Sequence, residues 1–222
     1  AGRGCWPRFF VFMGKITSLT AQKRHKERVN VFIDGRFAFG LPLEVALSLR
    51  IGQELTPADI TRLEAEDIYH KAKNDAYRLL SYRPRSVREV TRKLRQKKYE
   101  EATIERVISA LEESKLLDDV AFAEYWVEQR ESFKPRSQMA LRRELQQKGV
   151  ARELIDAAVG EVDEADAARR AVQKKLYRWE SLPEAEFRNK IGRFLQQRGF
   201  AYSIIRQLAD DLWEELSISE ES

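Results

Sequence analysis

Hydrophobic and polar positions alternate in the N-terminal part of the chain. Val29 and Val31 share one face of an extended segment, and the residues beside them fall on the other face. This period of two predicts a β-strand. The two-residue turn signal Asp34-Gly35 follows, and residues 36–39 return as a second strand of a hairpin.

Further signals complete a small β/α module, which we place at residues 14–65. An isolated hairpin is only marginally stable in water, so we expect residues 16–21 to add a third strand. Residues 43–49 predict a short helix. Thr56-Pro57 resembles another helix start, with Thr as the N-cap and Pro at the first helical position.

From about residue 65 onward the hydrophobic spacing is helical and repeats. Pro-Arg-Ser at 84–86 recurs at 135–137, and the hydrophobic positions that follow it recur in a third copy a further 50 residues on. Such self-similarity marks tandem repeats of one supersecondary unit. The matched positions are Val90, Leu94, Tyr99, Ile104 and Ile108; Leu141, Leu145, Val150, Ile155 and Val159; and Ile191, Leu195, Phe200, Ile205 and Ala209.

Each repeat is predicted to hold three helices, called A, B and C in chain order. In the first repeat they cover residues 68–82, 86–97 and 101–113. Ser86 and Glu89 have the spacing of a capping box, which fixes the start of helix B.

Helix B ends at glycine in two repeats. Gly149 and Gly199 hold equivalent positions, where a left-handed C-cap favours glycine. Lys98 holds that position in the first repeat, so we expect a poorer or differently built cap there. Asp118-Asp119 can cap helix A of the second repeat.

The patterns predict a mainly α protein. We expect a tandem array of three three-helix, helix-turn-helix-like repeats in a curved, elongated arrangement, preceded by the β-hairpin-containing module. The boundaries are a leader or remnant, expected to be disordered, at 1–13; the module at 14–65; repeats at 66–118, 119–163 and 164–216; and an acidic tail at 217–222.

Composition removes several classes of protein. With 10 Gly and 6 Pro, the chain is neither collagen-like nor low-complexity. Cys5 is the only cysteine, and His25 and His70 lack companions at metal-ligand spacing, so we expect no disulfide, metal or cofactor. The apolar run at residues 9–12 is too short for a membrane span or signal peptide. A reducing cytoplasm is the expected compartment.

No catalytic pattern is present: the sequence has no phosphate-loop glycine motif, no Gly-x-Ser-x-Gly and no His-Glu-x-x-His. Acidic pairs could indicate a metal-dependent nuclease, but most fall at helix starts or on solvated faces, where the helix dipole or water accounts for them. We therefore predict a protein that is not an enzyme. The pairs are Glu100-Glu101, Glu112-Glu113, Asp118-Asp119, Asp210-Asp211 and Glu214-Glu215.

Basic residues are concentrated in the first repeat. Residues 83–98 contain eight Lys or Arg and one Glu, a net charge of +7, whereas the whole chain carries +4. On a helical wheel, Arg88, Arg92 and Arg95 lie well away from the hydrophobic face. This face suits a polyanion such as DNA, although a charge run is also typical of solvated surface.

Two basic positions recur with the repeat: one set is Arg92, Arg143 and Arg193, and the other is Lys97, Lys148 and Arg198. Stacked repeats would align them into a stripe for an extended polyanion, but basic residues near a helix C-terminus are also favoured by the dipole alone. The candidate binding residues are Arg85, Arg88, Arg92, Arg95, Lys97, Lys98, Arg136, Arg143, Lys148, Arg193 and Arg198.

Five aromatic side chains also have two possible roles, in binding or in the core. They could stack bases or anchor a partner protein, but aromatic residues at helical spacing are more typical of core packing. They are Tyr125, Trp126, Phe133, Trp179 and Trp213.

Three strings resemble the inter-repeat signatures of the RecX regulatory proteins. They are LDDVAFA at 117–123, RELQQKGV at 143–150 and FLQQRGF at 194–200. The spacing Ser86-x-x-Glu89 fits as well. The resemblance covers about residues 70–216, with the three repeats in order, and Lys98 departs from the family's pattern.

The resemblance implies a non-enzymatic modulator of the RecA recombinase. Members of this family bind RecA filaments on DNA, in or near the helical groove. They inhibit filament extension, ATP hydrolysis, strand exchange and coprotease activity, and so modulate recombinational repair and the SOS response. The implied partners are the RecA filament and single- and double-stranded DNA, with no membrane; we expect a monomer.

Three alternatives remain open. A DNA-binding regulator could use helices B and C as a helix-turn-helix without RecA, which predicts tight, sequence-specific duplex binding. A helical scaffold that binds only proteins would have no salt-dependent affinity for DNA. A nuclease would cleave DNA in the presence of divalent metal.

Overall fold

The computed structural model describes residues 13–23 and 26–220, with side chains through residue 218. Residues 1–12 of the predicted leader (1–13) and His25 lie outside the described residues, and so do the expectations for them.

The chain divides into two compact units. Unit 1 contains the chain up to Leu79 together with Leu94–Ala110. Unit 2 contains Leu80–Lys93 together with the chain from Leu111 onward.

Unit 1 begins with a four-stranded antiparallel sheet in the order β3-β2-β1-β4. The strands are β1 (Gly14–Ala21), β2 (Arg28–Ile33), β3 (Arg36–Pro42) and β4 (Glu54–Leu55). The predicted hairpin and third strand are confirmed. No sequence pattern predicts β4, because two residues cannot display a period of two.

The β2–β3 hairpin closes through the turn that its sequence predicts. Ile33 pairs with Arg36, and the two residues between them both have positive φ, 49° at Asp34 and 79° at Gly35. Positive φ at both central positions is the type I′ geometry, which matches the twist of the flanking strands.

Two helices follow the strands, α1 (Leu43–Ala46) and α2 (Pro57–Leu80). The N-terminus of α2 is a capping box, because Thr56 Oγ1 accepts the Asp59 N–H at 3.2 Å and Asp59 Oδ2 accepts the Thr56 N–H at 3.1 Å. The start of helix A at residue 68 was therefore predicted wrongly. The turns of α2 that precede residue 68 bury Leu63 in the core of the sheet module.

Eight more helices complete the described chain. They are α3 (Val87–Gln96), α4 (Glu101–Glu113), α5 (Asp119–Phe133), α6 (Gln138–Lys148), α7 (Arg152–Gly160), α8 (Glu164–Leu176), α9 (Glu184–Gln196) and α10 (Tyr202–Glu220). With α2, they form three successive sets of three, so the predicted repeat of helices A, B and C is confirmed. Helix C of the first repeat has the predicted bounds, and α10 continues to Glu220, within the range assigned to the tail.

All three copies of helix B end in a left-handed residue. Gly149 and Gly199 have φ of 83° and 87°, as predicted. Lys98 adopts the same conformation, with φ of 64°, although it carries a Cβ. The first repeat therefore keeps the same cap geometry as the others and places a strained residue in it.

Unit 2 is held together by one continuous hydrophobic core. Helix B of each of the last two repeats contributes its predicted residues: Leu141 and Leu145 from α6, and Ile191 and Leu195 from α9, are all fully buried. Phe122 from α5 and Phe187 from α9 are the largest of its fully buried side chains.

Successive repeats within unit 2 meet through helix B. The Ser86 hydroxyl before α3 donates to the Lys148 carbonyl at the end of α6 at 2.7 Å. At the next junction, the Ser137 N–H before α6 donates to the Arg198 carbonyl after α9 at 3.2 Å. The N-terminus of one helix B thus lies against the C-terminus of the next.

Acidic residues at the start of helix A strengthen each junction. Asp118 caps its own helix, α5, by accepting the N–H groups of Val120 and Ala121, as predicted. Asp119 instead reaches the preceding repeat and accepts the Val87 N–H at 2.9 Å. Glu164 does the same one repeat later, accepting the Gln138 N–H at 2.7 Å. Each acidic residue satisfies a donor that the start of a helix leaves unpaired.

Candidate functional site

Unit 2 carries an open groove of about 530 Å³ at its first repeat junction. Helices α3, α5 and α6 form it. The lining residues are Arg88, Glu89 and Arg92 from α3, Trp126 and Arg130 from α5, and Glu144, Gln147 and Lys148 from α6.

Arg88 and Arg92 are the two basic side chains that α3 contributes to this groove. They lie one turn apart on α3, so their side chains project from the same face. Both are exposed, and neither forms an ion pair with a carboxylate among the described side chains. The stem of Arg88 lies against Gly149, where an added Cβ would approach Arg88 Cβ to 2.6 Å.

Glu89 is the buried acid of the groove, with 8% of its side chain exposed. Its carboxylate accepts hydrogen bonds from Arg83 at 2.9 and 3.1 Å and from Lys148 at 2.8 Å. Burial alone would raise the pKa of Glu89, but the hydrogen bonds and charges of Arg83 and Lys148 lower it to about 2. The carboxylate is therefore ionised at neutral pH, and its charge is shared between Arg83 and Lys148.

Trp126 is fixed at the edge of the core by polar contacts. Its Nε1 donates to Glu144 at 2.8 Å, and Arg130 Nε donates to the same oxygen at 2.7 Å. The Arg130 guanidinium and the Lys148 ammonium lie 4.6 and 4.5 Å from the centre of the indole ring. Cations at this distance interact favourably with the ring. The indole is consequently a rigid part of the groove wall.

The other predicted residues of unit 2 lie in different surroundings. Arg136 Nε lies 3.0 Å from Glu144, in an ion pair without hydrogen-bond geometry. Arg143 is exposed. Arg193 is exposed beside Arg188 in a second surface cavity, formed by α9 and α10. Arg85 is half-buried and has interactions of its own.

Three predicted residues belong to unit 1 and do not line the groove. Arg95 forms an exposed ion pair with Glu101. Lys97 pairs with Asp75 at 2.6 Å. Lys98 is exposed at the left-handed cap. Their contacts in the structure are those of helix ends and surface ion pairs.

The sequence did not single out Arg130, Glu144 or Gln147 as part of a site. A usable signal was the spacing of Trp126 and Arg130, which places an aromatic ring and a guanidinium on adjacent turns of one helix face. The prediction of core packing is confirmed for the three tryptophans, which pack partly buried against the unit 2 core, and wrong for Phe133, which is 66% exposed.

The acidic pairs do not assemble into a metal site in the part of the chain that the structure covers. No group of three or more His, Cys, Asp or Glu side chains is arranged there so that it could hold a metal ion. Among the same residues, none of the helices combines the length and the apolar character needed to cross a membrane.

Four consecutive family matches cover most of the chain. Residues 14–56 match the regulatory protein RecX N-terminal domain, and residues 72–111, 118–159 and 161–208 match the first, second and third three-helix domains of RecX. A regulatory protein RecX from Clostridium tetani is 34% identical over 210 residues, covering 90% of this chain and 95% of the relative. The chain belongs to the RecX family.

Other RecX proteins show the same relationship. The regulatory protein RecX of Bacillus subtilis is 32% identical over 202 residues, which are 89% of this chain and 76% of the relative. A crystal structure of regulatory protein RecX superposes with a TM-score of 0.71 at 28% identity, covering 89% of this chain and all of that one. The RecX structure from Lactobacillus salivarius gives 0.56 at 26% identity, covering 68% and 98%.

Proposed function

We propose that this RecX-family protein is a non-enzymatic regulator that binds RecA nucleoprotein filaments on DNA. It inhibits filament extension, ATP hydrolysis, strand exchange and coprotease activity, and thereby modulates recombinational repair and the SOS response. Family membership supports RecA as the partner. The observation that carries the proposed contact is the pair Arg88 and Arg92, which face solvent in the groove and form no ion pair with a carboxylate of the described residues.

The two arginines suit phosphate. A guanidinium donates paired hydrogen bonds in a planar fork that matches phosphate oxygens. Two of them on adjacent turns of one helix can follow consecutive groups of a charged backbone. In the proposed complex they contact DNA phosphates of the filament, and each contact displaces counterions and makes binding salt-dependent.

The repeats provide the remaining contacts. A filament presents identical protomers at regular intervals, and a chain of similar three-helix units can engage several of them at once. Linked weak contacts raise the overall affinity through effective concentration. We therefore expect no single substitution at a protein contact to abolish binding.

The test is RecA ATP hydrolysis on single-stranded DNA, with the protein titrated in. We expect inhibition well below one molecule per RecA. Arg92→Glu should weaken inhibition several-fold, whereas Arg152→Glu makes the same charge change at an exposed position of α7 outside the groove and should retain it. No inhibition by the wild-type protein, with its fold verified by circular dichroism, would overturn the proposal and favour a helix-turn-helix protein acting without RecA.

A further inference from the structure

The two helix B junctions of unit 2 place a cation at the same position but surround it differently. Lys148 ends α6 at the first junction, and Arg198 follows α9 at the second. Each main-chain carbonyl accepts a hydrogen bond from the serine of the preceding repeat. The two side chains therefore occupy equivalent positions in the repeat.

Acidic residues at two positions surround Lys148. Glu89 comes from helix B of the preceding repeat and pairs with it at 2.8 Å. Glu144 lies one turn earlier on the same helix and lines the same groove.

Both acidic positions are apolar around Arg198. The residue equivalent to Glu89 is Ala140, and the residue equivalent to Glu144 is Phe194. Ala140 does face this junction, because a Cβ added at Gly199 would lie 3.1 Å from the Ala140 Cβ. The second junction thus keeps the cation and has apolar residues at the two positions that are acidic beside Lys148.

The Arg198 guanidinium lies against an aromatic ring. It lies 3.7 Å from the centre of the Phe194 ring, and Lys175 Nζ lies 5.9 Å from the same ring. Across residues 26–218, no carboxylate pairs with Arg198 or Lys175. Partial burial lowers the pKa of Arg198, and the charge of the nearby Arg136 adds to this lowering.

We propose that the junction around Arg198 is a second phosphate-binding site, which takes a phosphodiester group of single-stranded nucleic acid. The inference deepens the proposed function and rests on its nucleic-acid partner. An external phosphate would provide the negative charge that Glu89 provides at the first junction. Single-stranded nucleic acid is favoured over an acidic protein because Phe194 packs edge-on against Trp179, with ring centres 5.3 Å apart. Cations beside aromatic rings are typical of single-strand binding surfaces.

The sharpest test restores the missing acid. Ala140→Glu places a carboxylate where Glu89 stands in the first junction, within reach of Arg198, and Ala140→Gln adds the same bulk without charge. Binding to a fluorescein-labelled oligothymidylate is measured by anisotropy over a range of salt concentrations, without RecA. We expect Ala140→Glu to bind about tenfold more weakly than Ala140→Gln, with a salt slope smaller by about 0.7, the loss of one single-strand phosphate contact.

A second pair of variants covers the case in which Ala140→Glu does not fold. Arg198→Ala should show the same decrease in oligothymidylate affinity and in salt slope. Arg206→Ala, at an exposed position of α10, should change neither quantity. Equal binding by Ala140→Glu and Ala140→Gln, or by Arg198→Ala and the wild type, overturns the site. If Ala140→Glu or Arg198→Ala loses ATPase inhibition but binds oligothymidylate as before, the phosphate site is also overturned. That result would show that Arg198 contacts an acidic protein surface instead. Because the anisotropy measurement omits RecA, a failure of the proposed RecA function is detected separately.

Discussion

The Ser86 hydroxyl donates a 2.7 Å hydrogen bond to the main-chain carbonyl of Lys148. Ser86 also accepts the Glu89 N–H at 3.2 Å, so one hydroxyl caps α3 and joins two repeats. Ser137 repeats the capping contact with the Ala140 N–H and joins the next pair through its own N–H. At each junction one serine therefore both caps helix B and joins it to the next repeat, so changes at the caps should affect the junctions.

Gly149 should be sensitive to any side chain. Gly149→Ala places a Cβ at φ of 83° and within 2.6 Å of Arg88 Cβ, so the backbone strain is compounded by a clash at the junction. We expect a loss of about 2 kcal/mol in the free energy of unfolding, measured by urea denaturation.

Gly160→Ala is the matched control, because a Cβ there meets no atom within 4 Å. It should be neutral or slightly stabilising, since alanine restricts the unfolded chain. Equal destabilisation by both substitutions would show that the junction geometry does not decide the effect.

Replacing Lys98 with glycine should stabilise the protein. It is the non-glycine member of three equivalent left-handed caps, with φ of 64°. Lys98→Gly removes the Cβ that makes this conformation unfavourable, and should raise the free energy of unfolding by about 1 kcal/mol. Lys98→Ala removes the same charge and keeps the Cβ, so a similar gain from alanine would contradict the explanation. Thermal denaturation compares the two.

Much of this architecture was predictable because the same structural unit occurs three times in the sequence. Gly149 and Gly199 predicted their left-handed caps correctly. Lys98 was expected to give a poorer or differently built cap; it keeps the same left-handed geometry, and the cap is poorer only through the strain of a residue that carries a Cβ. The hydrophobic positions of helix B, such as Leu94 and Leu145, likewise predicted buried residues correctly.

Contacts between repeats were harder to predict because they join residues distant in sequence. Asp118 and Asp119 look alike in the chain, yet one caps its own helix and the other caps a helix of the preceding repeat. From the sequence, Glu89 was assigned only to a capping box. Its pairing with Lys148 depends on the stacking of helices 59 residues apart in sequence.

Asp119 provides a test of this cross-repeat cap. Asp119→Ala removes the acceptor of the Val87 N–H and should cost about 1 kcal/mol in the free energy of unfolding. Asp119→Asn keeps an oxygen acceptor. Burial raises the pKa of Asp119, aided by neighbouring acids and opposed by the Val87 hydrogen bond, so ionisation is disfavoured in the folded state. The asparagine variant should thus be at least as stable as the wild type at pH 7 in urea denaturation. Equal losses from both variants would contradict the capping role.

Glu89 should make the free energy of unfolding depend on pH in the acidic range. Its pKa is lowered from 4.5 to about 2 in the folded protein by Arg83 and Lys148, against the effect of burial. A lowered pKa means that the ion pairs stabilise the protein fully above about pH 4.5 and are lost as the pH falls toward 2. Glu89→Gln should therefore cost about 2 kcal/mol at pH 7, and the difference from the wild type should shrink progressively over that acidic range.

The measurement is urea denaturation of both proteins from pH 7 down to the acid limit of the folded state. Glu214→Gln, which changes an exposed carboxylate of α10, should follow the wild-type curve throughout. A pH-independent difference between Glu89→Gln and the wild type would mean that lost packing, rather than the charge of Glu89, accounts for the destabilisation. The convergence of the two curves in acid would instead assign the stability of the first repeat junction to this buried carboxylate, whose presence there and absence beside Arg198 distinguish the two junctions.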